Sequence, residues 1–293
     1  MNQQDAANIL RTALTDVLPG GDLLMHVVQK DIIRVESGGQ AYLVKWISAH
    51  DGAGQNELRV GRLFRKQALL PVPQLVFEKP VEGGVIAGWE WAEGLDLRTH
   101  RRDRLPEVFG WLGQLHRAMR NQGQVAAPMS SRTYATVREL VEAESVRLTA
   151  LVEPAVRGIC AEWLSRLEIG YSTLIHGDMH PGNVILGDDR VWFVDWGYAR
   201  NSLNLFDLDY IHSVSMPGSQ QFWAIIHPHE AMSVLDAYFD AAGIPCDDVL
   251  AIHRAVMVWN LLRSLESGLE NGNATEAARA RRQLAHLLSK DRL

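Results

Sequence analysis

Cysteine is scarce in this sequence: Cys160 and Cys246 are the only two in 293 residues. They lack the short spacing of metal-binding cysteine pairs, and a single bridge between them is the one disulfide that the sequence permits. Proteins that depend on a disulfide framework carry many more cysteines for their length. The low cysteine content therefore favours a reducing compartment, and we expect a cytoplasmic protein.

Long apolar runs and an excess of basic residues are also missing. No stretch approaches the roughly 18 apolar residues that a bilayer span needs. The chain begins with Asn-Gln-Gln-Asp at positions 2–5, without the basic flank and apolar core of a signal peptide. The net charge of -6 argues against a general nucleic-acid binder, which would display a basic face. We expect a soluble protein with no membrane and no nucleic-acid partner.

The overall composition is that of a globular protein, with 47% hydrophobic and 22% charged residues. Strand-like patterns occupy residues 23–28, 32–36, 41–47, 74–78 and 84–91, and helical spacing covers 6–18 and 57–69. Later helices are predicted over 105–119, 134–149, 154–168, 230–242, 247–268 and 274–289, with short strands and loops at 174–194. This order predicts an α+β protein with a β-rich lobe over 1–91 and a mostly helical lobe over 92–293.

The densest polar segment in an apolar setting is Leu-Ile-His-Gly-Asp-Met-His-Pro-Gly-Asn-Val-Ile-Leu at 174–186. Val-Trp-Phe-Val-Asp-Trp-Gly follows at 191–197. Buried strands beside these loops would hold Asp178, Asn183 and Asp195 at one edge. Phosphoryl transfer needs such groups: a carboxylate that takes the acceptor's proton, and oxygen ligands for Mg²⁺ ions that bridge the phosphates. Asp178 is the candidate base, and Asn183 and Asp195 are the candidate metal ligands.

His176-x-Asp178-x-x-x-x-Asn183 with the later Asp195-Trp-Gly resembles the catalytic and metal-binding loops of the protein-kinase superfamily. The form His-Gly-Asp-x-His-x-x-Asn is more similar to the aminoglycoside phosphotransferase and choline kinase branch. Leu-Gly-Gln-Leu-His at 112–116 and Asn-Leu-Phe-Asp-Leu at 204–208 also resemble segments of that branch. The resemblance implies a two-lobed protein-kinase-like fold and a magnesium-dependent kinase that moves the γ-phosphoryl of ATP or GTP onto a hydroxyl of a small molecule.

Lys45 resembles the kinase lysine that contacts the α- and β-phosphates, since it alone among five lysines interrupts an apolar strand. Glu57, at the head of the next predicted helix, is placed to pair with it. The segment 88–94 is similar to the hinge, and the resemblance implies that Glu90, Trp91 and Ala92 meet the base edge. Ile185 would help to sandwich the base. The turn at 29–31 contains no glycine, unlike the protein-kinase glycine-rich loop, so we assign none of its residues to phosphate binding.

Several histidines and acids have competing interpretations. His176 and His180 are four residues apart, but Gly177, Pro181 and Gly182 disfavour the helix that a zinc pair would need. We instead expect His176 to brace the catalytic loop, with His180 as a second brace or a lining group. Asp207 is expected to hydrogen-bond that loop. His116 is assigned to the core, the cluster at 227–230 to a solvated turn, and Asp209 could instead face the acceptor.

The acceptor is left open among aminoglycoside-like antibiotics, amino-alcohols and sugars. Residues 201–293 hold seven Lys/Arg against eleven Asp/Glu, so 7 − 11 gives -4 of the total -6, which would suit a cationic acceptor as well as an acidic outer surface. Two rivals remain. A protein serine/threonine kinase is disfavoured because no Ala-Pro-Glu element follows Asp195, and an inactive nucleotide-binding domain because the four key groups are intact.

Overall fold

The computed structural model describes residues 12, 14–18, 23–29, 32–65, 67, 69–97, 102–120, 134, 136–208 and 228–289. Most of the helix predicted over 6–18, turn residues 30 and 31, Asp209 and His227 lie outside the described residues. The chain forms two compact units. We call the described residues of Met1–Leu97 with Gly182–Ala199 the sheet unit, and those of Arg98–Pro181 with Arg200–Leu293 the helical unit.

The sheet unit is built on five antiparallel strands in the order β1-β2-β3-β5-β4. Their bounds are β1 Leu24–Gln29, β2 Ile32–Ser37, β3 Gln40–Ser48, β4 Leu75–Val81 and β5 Gly84–Glu90. Because side chains alternate along a strand, Val35, Tyr42 and Val44 lie on one face, in a buried cluster with Leu14 and Leu18. The opposite face carries the other set of β2 and β3 side chains, including Lys45.

One helix, α1 (Gly52–Phe64), covers the face that carries Lys45. Its Leu58 packs in a second cluster with Ile47, Leu75, Ala87 and Trp89. This helix was predicted over 57–69, which is wrong by five residues at each end. The helix begins earlier because the Asp51 side chain caps it by accepting the Gly54 N–H at 3.0 Å. Glu57 therefore lies in the second turn, not at the helix head.

A smaller sheet of three strands completes this unit: β6 (Leu95–Asp96), β8 (Val184–Leu186) and β9 (Val191–Phe193). β6 pairs with β8, so residues 92–97 and 182–199 belong to the sheet unit, although the predicted division at residue 91 gives both to the other lobe. Gly94 permits this pairing, since its φ is 141° and an added Cβ would lie 2.2 Å from the Leu186 carbonyl oxygen. The lobe boundary after residue 91 stays a prediction.

The helical unit contains six described α-helices and a two-stranded ribbon. The helices are α2 Leu105–Met119, α3 Val137–Thr149, α4 Pro154–Ser165, α5 Pro228–Ala242, α6 Val249–Glu270 and α7 Ala274–Ser289, and the ribbon pairs β7 (Ser172–Ile175) with β10 (Arg200–Leu203). In the described parts of the chain, no helix has the length and apolar character needed to cross a bilayer. The predicted α+β class, with a β-rich first part and a helical second part, is confirmed.

Helices α2 and α5 approach closely at Gly113. A Cβ built there would lie 2.5 Å from the Tyr238 carbonyl oxygen and 2.9 Å from the Ala242 nitrogen, which are backbone atoms that cannot turn aside. At Gly110, one turn earlier on α2, the nearest atom is 3.8 Å away. An alanine methyl group would therefore clash with backbone atoms at position 113 but would fit at position 110.

We predict that Gly113→Ala lowers the free energy of unfolding by about 1–3 kcal/mol, because the helices must separate. Gly110→Ala is the matched control and should raise it by about 0.5–1 kcal/mol through helix propensity. Urea unfolding followed by circular dichroism measures both. Equal effects from the two substitutions would contradict the close packing at Gly113.

Candidate active site

A buried ion pair joins β3 to α1. Lys45 Nζ lies 2.9 Å from Glu57 Oε1 and 2.8 Å from Oε2, and the side chains are only 16% and 11% exposed. The strand supplies Lys45 and the second turn of the helix supplies Glu57. The pairing positions the ammonium group at a fixed point on this face of the sheet.

Glu57 lies in a site of like charges as well as opposite ones. Burial raises the pKa of its carboxyl above the ordinary value, and the charge and hydrogen bond of Lys45 only partly offset this. The carboxylates of Asp195 and Asp51 add to the upward shift. A cavity of about 260 Å³ is lined here by Lys45, Asp51, Glu57, Asp195 and neighbouring residues of β3, α1 and the loop after Asp195.

Asp195 has a left-handed backbone, with φ 64° and ψ 67°, and is the one non-glycine residue with positive φ among those described. Such a conformation costs on the order of 1–3 kcal/mol and persists where the surroundings enforce it. Here Trp196 follows at once: its Nε1–H donates to the Phe193 carbonyl at 2.9 Å, and its ring packs edge-on against Phe64 at 4.8 Å. These two contacts of Trp196 hold the left-handed backbone of Asp195 and so fix the direction of its side chain.

Asn183 and Asp195 stand at the same end of a β-hairpin. Val184 pairs with Phe193, so Asn183 precedes one strand where Asp195 follows the other. The Val194 N–H donates to the Asn183 carbonyl oxygen at 3.0 Å and closes that end. Asn183 is 5% exposed. Among the described residues, no group of three or more His, Cys, Asp or Glu is arranged to hold a metal ion.

Asn56, which was not predicted from the sequence, joins α1 to the segment after Asp195. Its side-chain amide donates to the carbonyl oxygens of Gly197 at 3.0 Å and Ala199 at 2.8 Å, and the residue is 1% exposed. No local pattern marks this residue, because both acceptors lie more than 140 positions away. Through Asn56, the helix that carries Glu57 is fastened to the loop that carries Asp195.

The residues predicted to meet the nucleotide base lie at the end of β5, directly after it, and in β8. The N–H groups of Glu90 and Trp91 donate to the carbonyl oxygens of Gln74 at 2.9 Å and Ala41 at 3.1 Å, so both are engaged within the sheet unit. A contact of these two residues with a base would use other groups. Ala92 follows the strand, and Ile185 is half-buried in β8, between two buried neighbours.

In the helical unit, the Asp207 carboxylate organises the loop after β7. It accepts the N–H groups of His176 at 2.6 Å and Gly177 at 2.8 Å, and His116 Nε2 lies 3.1 Å from it. Burial alone would raise the pKa of Asp207, but the hydrogen bond and charge of His116, the charge of His176 and the Gly177 N–H hold it below its ordinary value. Asp207 is therefore a buried, ionised anchor.

Asp178 comes directly after His176 and Gly177, the two residues whose N–H groups Asp207 accepts. Its N–H donates to His176 Nδ1 at 3.3 Å, and its Oδ2 lies 3.7 Å from His180 Nε2. His176 is fully buried, whereas the side chains of Asp178 and His180 are 29% and 40% exposed. His116, assigned to the core, is buried and also contacts the Tyr238 hydroxyl at 2.8 Å, so it belongs to the Asp207 network.

We predict that Asn56→Ala loosens the segment 196–199, because two buried carbonyl groups lose their donor, at about 1–3 kcal/mol each. Hydrogen exchange of the Ala199 amide, which donates to the Trp196 carbonyl at 3.1 Å, should accelerate. Gln55→Ala is the control, since it removes a side-chain amide that joins the same helix to Ser48 in β3. Unchanged exchange at Ala199 in Asn56→Ala would show that Asn56 does not hold this loop.

Comparisons with known proteins agree with this arrangement. The chain matches the sequence model of the phosphotransferase enzyme family over residues 30–254. No curated protein matches the sequence. Among solved structures, aminoglycoside phosphotransferase APH(4)-Ia is 18% identical with a TM-score of 0.60, over 97% of this chain and 98% of that one.

Two other solved structures show the same fold. Choline kinase from Cryptosporidium parvum Iowa II is 13% identical with a TM-score of 0.59, over 98% of this chain and 95% of that one. Spectinomycin phosphotransferase APH(9)-Ia is 15% identical with a TM-score of 0.56, over 96% and 94%. Since the family model covers well over half of the sequence, the chain belongs to the phosphotransferase enzyme family.

Proposed function

We propose that this protein transfers the γ-phosphoryl group of ATP or GTP to a hydroxyl of a small molecule. The observation that carries the proposal is the buried Lys45–Glu57 ion pair in the same cavity as Asp195. Such a pair positions a lysine for phosphates beside a carboxylate suited to a metal ion. Solved relatives are described with ADP or AMP-PNP together with hygromycin B, and with AMP, which supports a nucleotide co-substrate.

The nucleotide would bind along the face of the sheet that carries Lys45. Lys45 would hold the α- and β-phosphates, and Glu57 keeps its ammonium group in place. The base would lie toward Glu90, Trp91 and Ala92, with Ile185 against one side. The N–H groups of Glu90 and Trp91 are engaged in the sheet, so these two residues would contact the base through groups other than their backbone N–H.

Asn183 and Asp195 would hold Mg²⁺. One carboxylate and one amide oxygen at the same hairpin end suit an ion that completes its shell with water and phosphate oxygens, which is how Mg²⁺ is usually bound in such sites. When bound, Mg²⁺ supplies neutralisation of phosphate charge. The left-handed backbone of Asp195, held by Trp196, keeps that carboxylate in one orientation.

Asp178 would act as the base that orients the acceptor hydroxyl and takes its proton. Its backbone is held through His176, and the loop is anchored on Asp207, so the carboxylate needs little reorganisation. His180, 3.7 Å from Asp178, would brace or line the acceptor side. A protonated acceptor amine would be attracted by the acidic excess of residues 201–293.

Three acceptor classes fall within this proposal: aminoglycoside-like antibiotics, amino-alcohols and sugars. The proposal includes a cytoplasmic location, which the free thiols of Cys160 and Cys246 support.

The decisive experiment is a screen of ATP and GTP consumption over these three classes and nucleosides, in the presence of Mg²⁺. Asp178→Asn should reduce kcat with the best acceptor by about 10²–10⁴-fold and change the nucleotide KM little, because the residue acts in the chemical step. Asp188→Asn, on the exposed β8–β9 turn, is the matched control. Near-native turnover of Asp178→Asn with every acceptor would refute the assignment of the base.

We also predict that a double-mutant cycle of Lys45 and Glu57 separates their effect on stability from their effect on nucleotide affinity. Lys45→Met alone should destabilise the fold by up to about 3–5 kcal/mol, because it leaves a buried carboxylate unpaired. Lys45→Met with Glu57→Leu should recover most of that stability but not nucleotide affinity. Thermal unfolding and calorimetric titration with MgADP provide the two readouts. Recovered affinity in the double variant would mean that Lys45 does not contact the phosphates.

A further inference from the structure

The hydroxyl of Tyr238 is a buried polar group beside the His116 imidazole. Tyr238 lies on α5 and is 0% exposed. Its hydroxyl oxygen is 2.8 Å from His116 Nδ1, and the two rings meet edge-on with their centroids 5.8 Å apart. Burial raises the pKa of this hydroxyl well above its ordinary value, so the group keeps its proton and remains a hydrogen-bond donor.

A second neighbour, Asn204, limits where that hydrogen can point. Asn204 Oδ1 accepts the backbone N–H of Tyr171 at 2.8 Å, and because an N–H can only donate, the Asn204 amide has one orientation. Its Nδ2 then donates to the Tyr238 hydroxyl oxygen at 2.7 Å. The Tyr238 hydrogen is left for His116 Nδ1 at 2.8 Å or for the Asn204 carbonyl oxygen at 3.3 Å.

The other nitrogen of the imidazole faces Asp207. His116 Nε2 lies 3.1 Å from Asp207 Oδ2, and since Asp207 is ionised, this nitrogen must carry a hydrogen. A neutral imidazole then accepts the Tyr238 hydrogen at Nδ1. A protonated imidazole donates from Nδ1 to the Tyr238 oxygen, whose hydrogen turns to the Asn204 carbonyl. Tyr238 thus satisfies Nδ1 in both protonation states, while Nε2–H stays directed at Asp207.

Asp207 in turn holds the two backbone N–H groups that directly precede Asp178. Its Oδ2 accepts the His176 N–H at 2.6 Å and also faces His116, and its Oδ1 accepts the Gly177 N–H at 2.8 Å. Because one carboxylate oxygen serves both histidines, a rotation of the His116 ring would disturb the bond that holds the loop. A displacement of about 1 Å at a reacting group can cost about 100-fold in rate.

We propose that Tyr238 is a positioning residue for Asp178. Its hydroxyl holds the His116 imidazole with Nε2–H on Asp207, and Asp207 holds the loop that carries the Asp178 carboxylate. This inference rests on the proposed function, since it concerns catalysis only if Asp178 is the base. It gives α5 a part in catalysis, although none of the predicted site residues lies on this helix.

The first measurement needs no turnover. Tyr238→Phe keeps the ring and removes the hydroxyl, and exchange of the His176 and Gly177 amides, followed by NMR, should accelerate about 3–10-fold for the loss of one hydrogen bond. Tyr171→Phe is the matched control, because it removes another buried hydroxyl, which donates to the carbonyl oxygen of Ala242 on the same helix at 3.3 Å. The control should leave exchange at both amides within about twofold of wild type.

The second measurement follows turnover with the best acceptor of the screen. In Tyr238→Phe, kcat should fall about 3–10-fold and the nucleotide KM should stay within about twofold, because the change reaches Asp178 and not the nucleotide. His116→Gln tests the route of the effect. Its amide N–H can stand in for Nε2–H toward Asp207, but it has no atom at the Nδ1 position. In that background Tyr238→Phe should have no further effect on kcat or on exchange.

Three results would overturn the proposal. Equal effects of Tyr238→Phe and Tyr171→Phe would make the hydroxyl a general stabilising group. An undiminished effect of Tyr238→Phe in the His116→Gln background would mean that it does not act through His116. A wild-type His116 imidazole with its single proton on Nδ1, observed by nitrogen-15 NMR, would exclude the bond directed at Asp207.

Failure of the proposed function has a different signature. Wild-type protein that turns over no acceptor, although Tyr238→Phe accelerates exchange at His176 and Gly177 and Tyr171→Phe does not, would refute the phosphoryl transfer. The same result would support the hold of Tyr238 on the loop.

Discussion

The ion pair between Lys45 and Glu57 is the interaction on which the sheet unit depends. Two charges with little exposure are stable together only when geometry is good and further contacts hold both partners. Here the sheet fixes the lysine on both sides, through Ile32 and Ala87, and α1 fixes the glutamate. Asn56, the neighbour of Glu57, then fastens the same helix to the loop of Asp195. Helix α1 therefore positions the Lys45 ammonium group through Glu57 and the loop that carries Asp195 through Asn56.

Each unit contains a buried carboxylate, and the pKa of the two shifts in opposite directions. Glu57 receives one cation and faces two other carboxylates, and burial dominates, so its pKa rises. Asp207 receives two backbone N–H groups and a histidine, and its pKa falls. Ionised Asp207 therefore adds stability above its ordinary pKa, and this is lost as the pH falls through its lower folded pKa. For Glu57 the sign is reversed, and stability declines as the pH rises from its ordinary pKa through its higher folded pKa.

Sequence patterns predicted those parts of the structure that depend on local periodicity. Helix α2 has the bounds that its apolar spacing predicts, Leu105–Met119, and the five strands of the main sheet lie where alternation places them. The start of α1 was misplaced because Gly52 and Gly54 resemble a loop, although Asp51 caps the helix. The capping contact of Asp51 with the Gly54 N–H, which starts the helix at Gly52, was not predicted from the sequence.

Non-local contacts account for the features that the sequence could not predict. The residue types at 176–197 indicated phosphate chemistry because their order is distinctive. The acceptors of the Asn56 side chain depend on segments brought together only by the fold. Asp207 was predicted to hydrogen-bond the loop after β7, but its three donors, the N–H groups of His176 and Gly177 and the His116 ring, could not be identified without coordinates.

The discontinuity of the sheet unit has a consequence for how the chain acquires its structure during synthesis. Strands β8 and β9 and the Asp195 loop complete this unit, yet they are encoded after residues 98–181 of the helical unit. The five-stranded sheet can form early from near neighbours, but Asn56 must wait for acceptors more than 140 residues downstream. A ribosome that pauses before residue 199 would leave an amide and the α1 surface that packs on Trp196 uncovered. Chaperone demand should therefore peak late in translation rather than when the first sheet emerges.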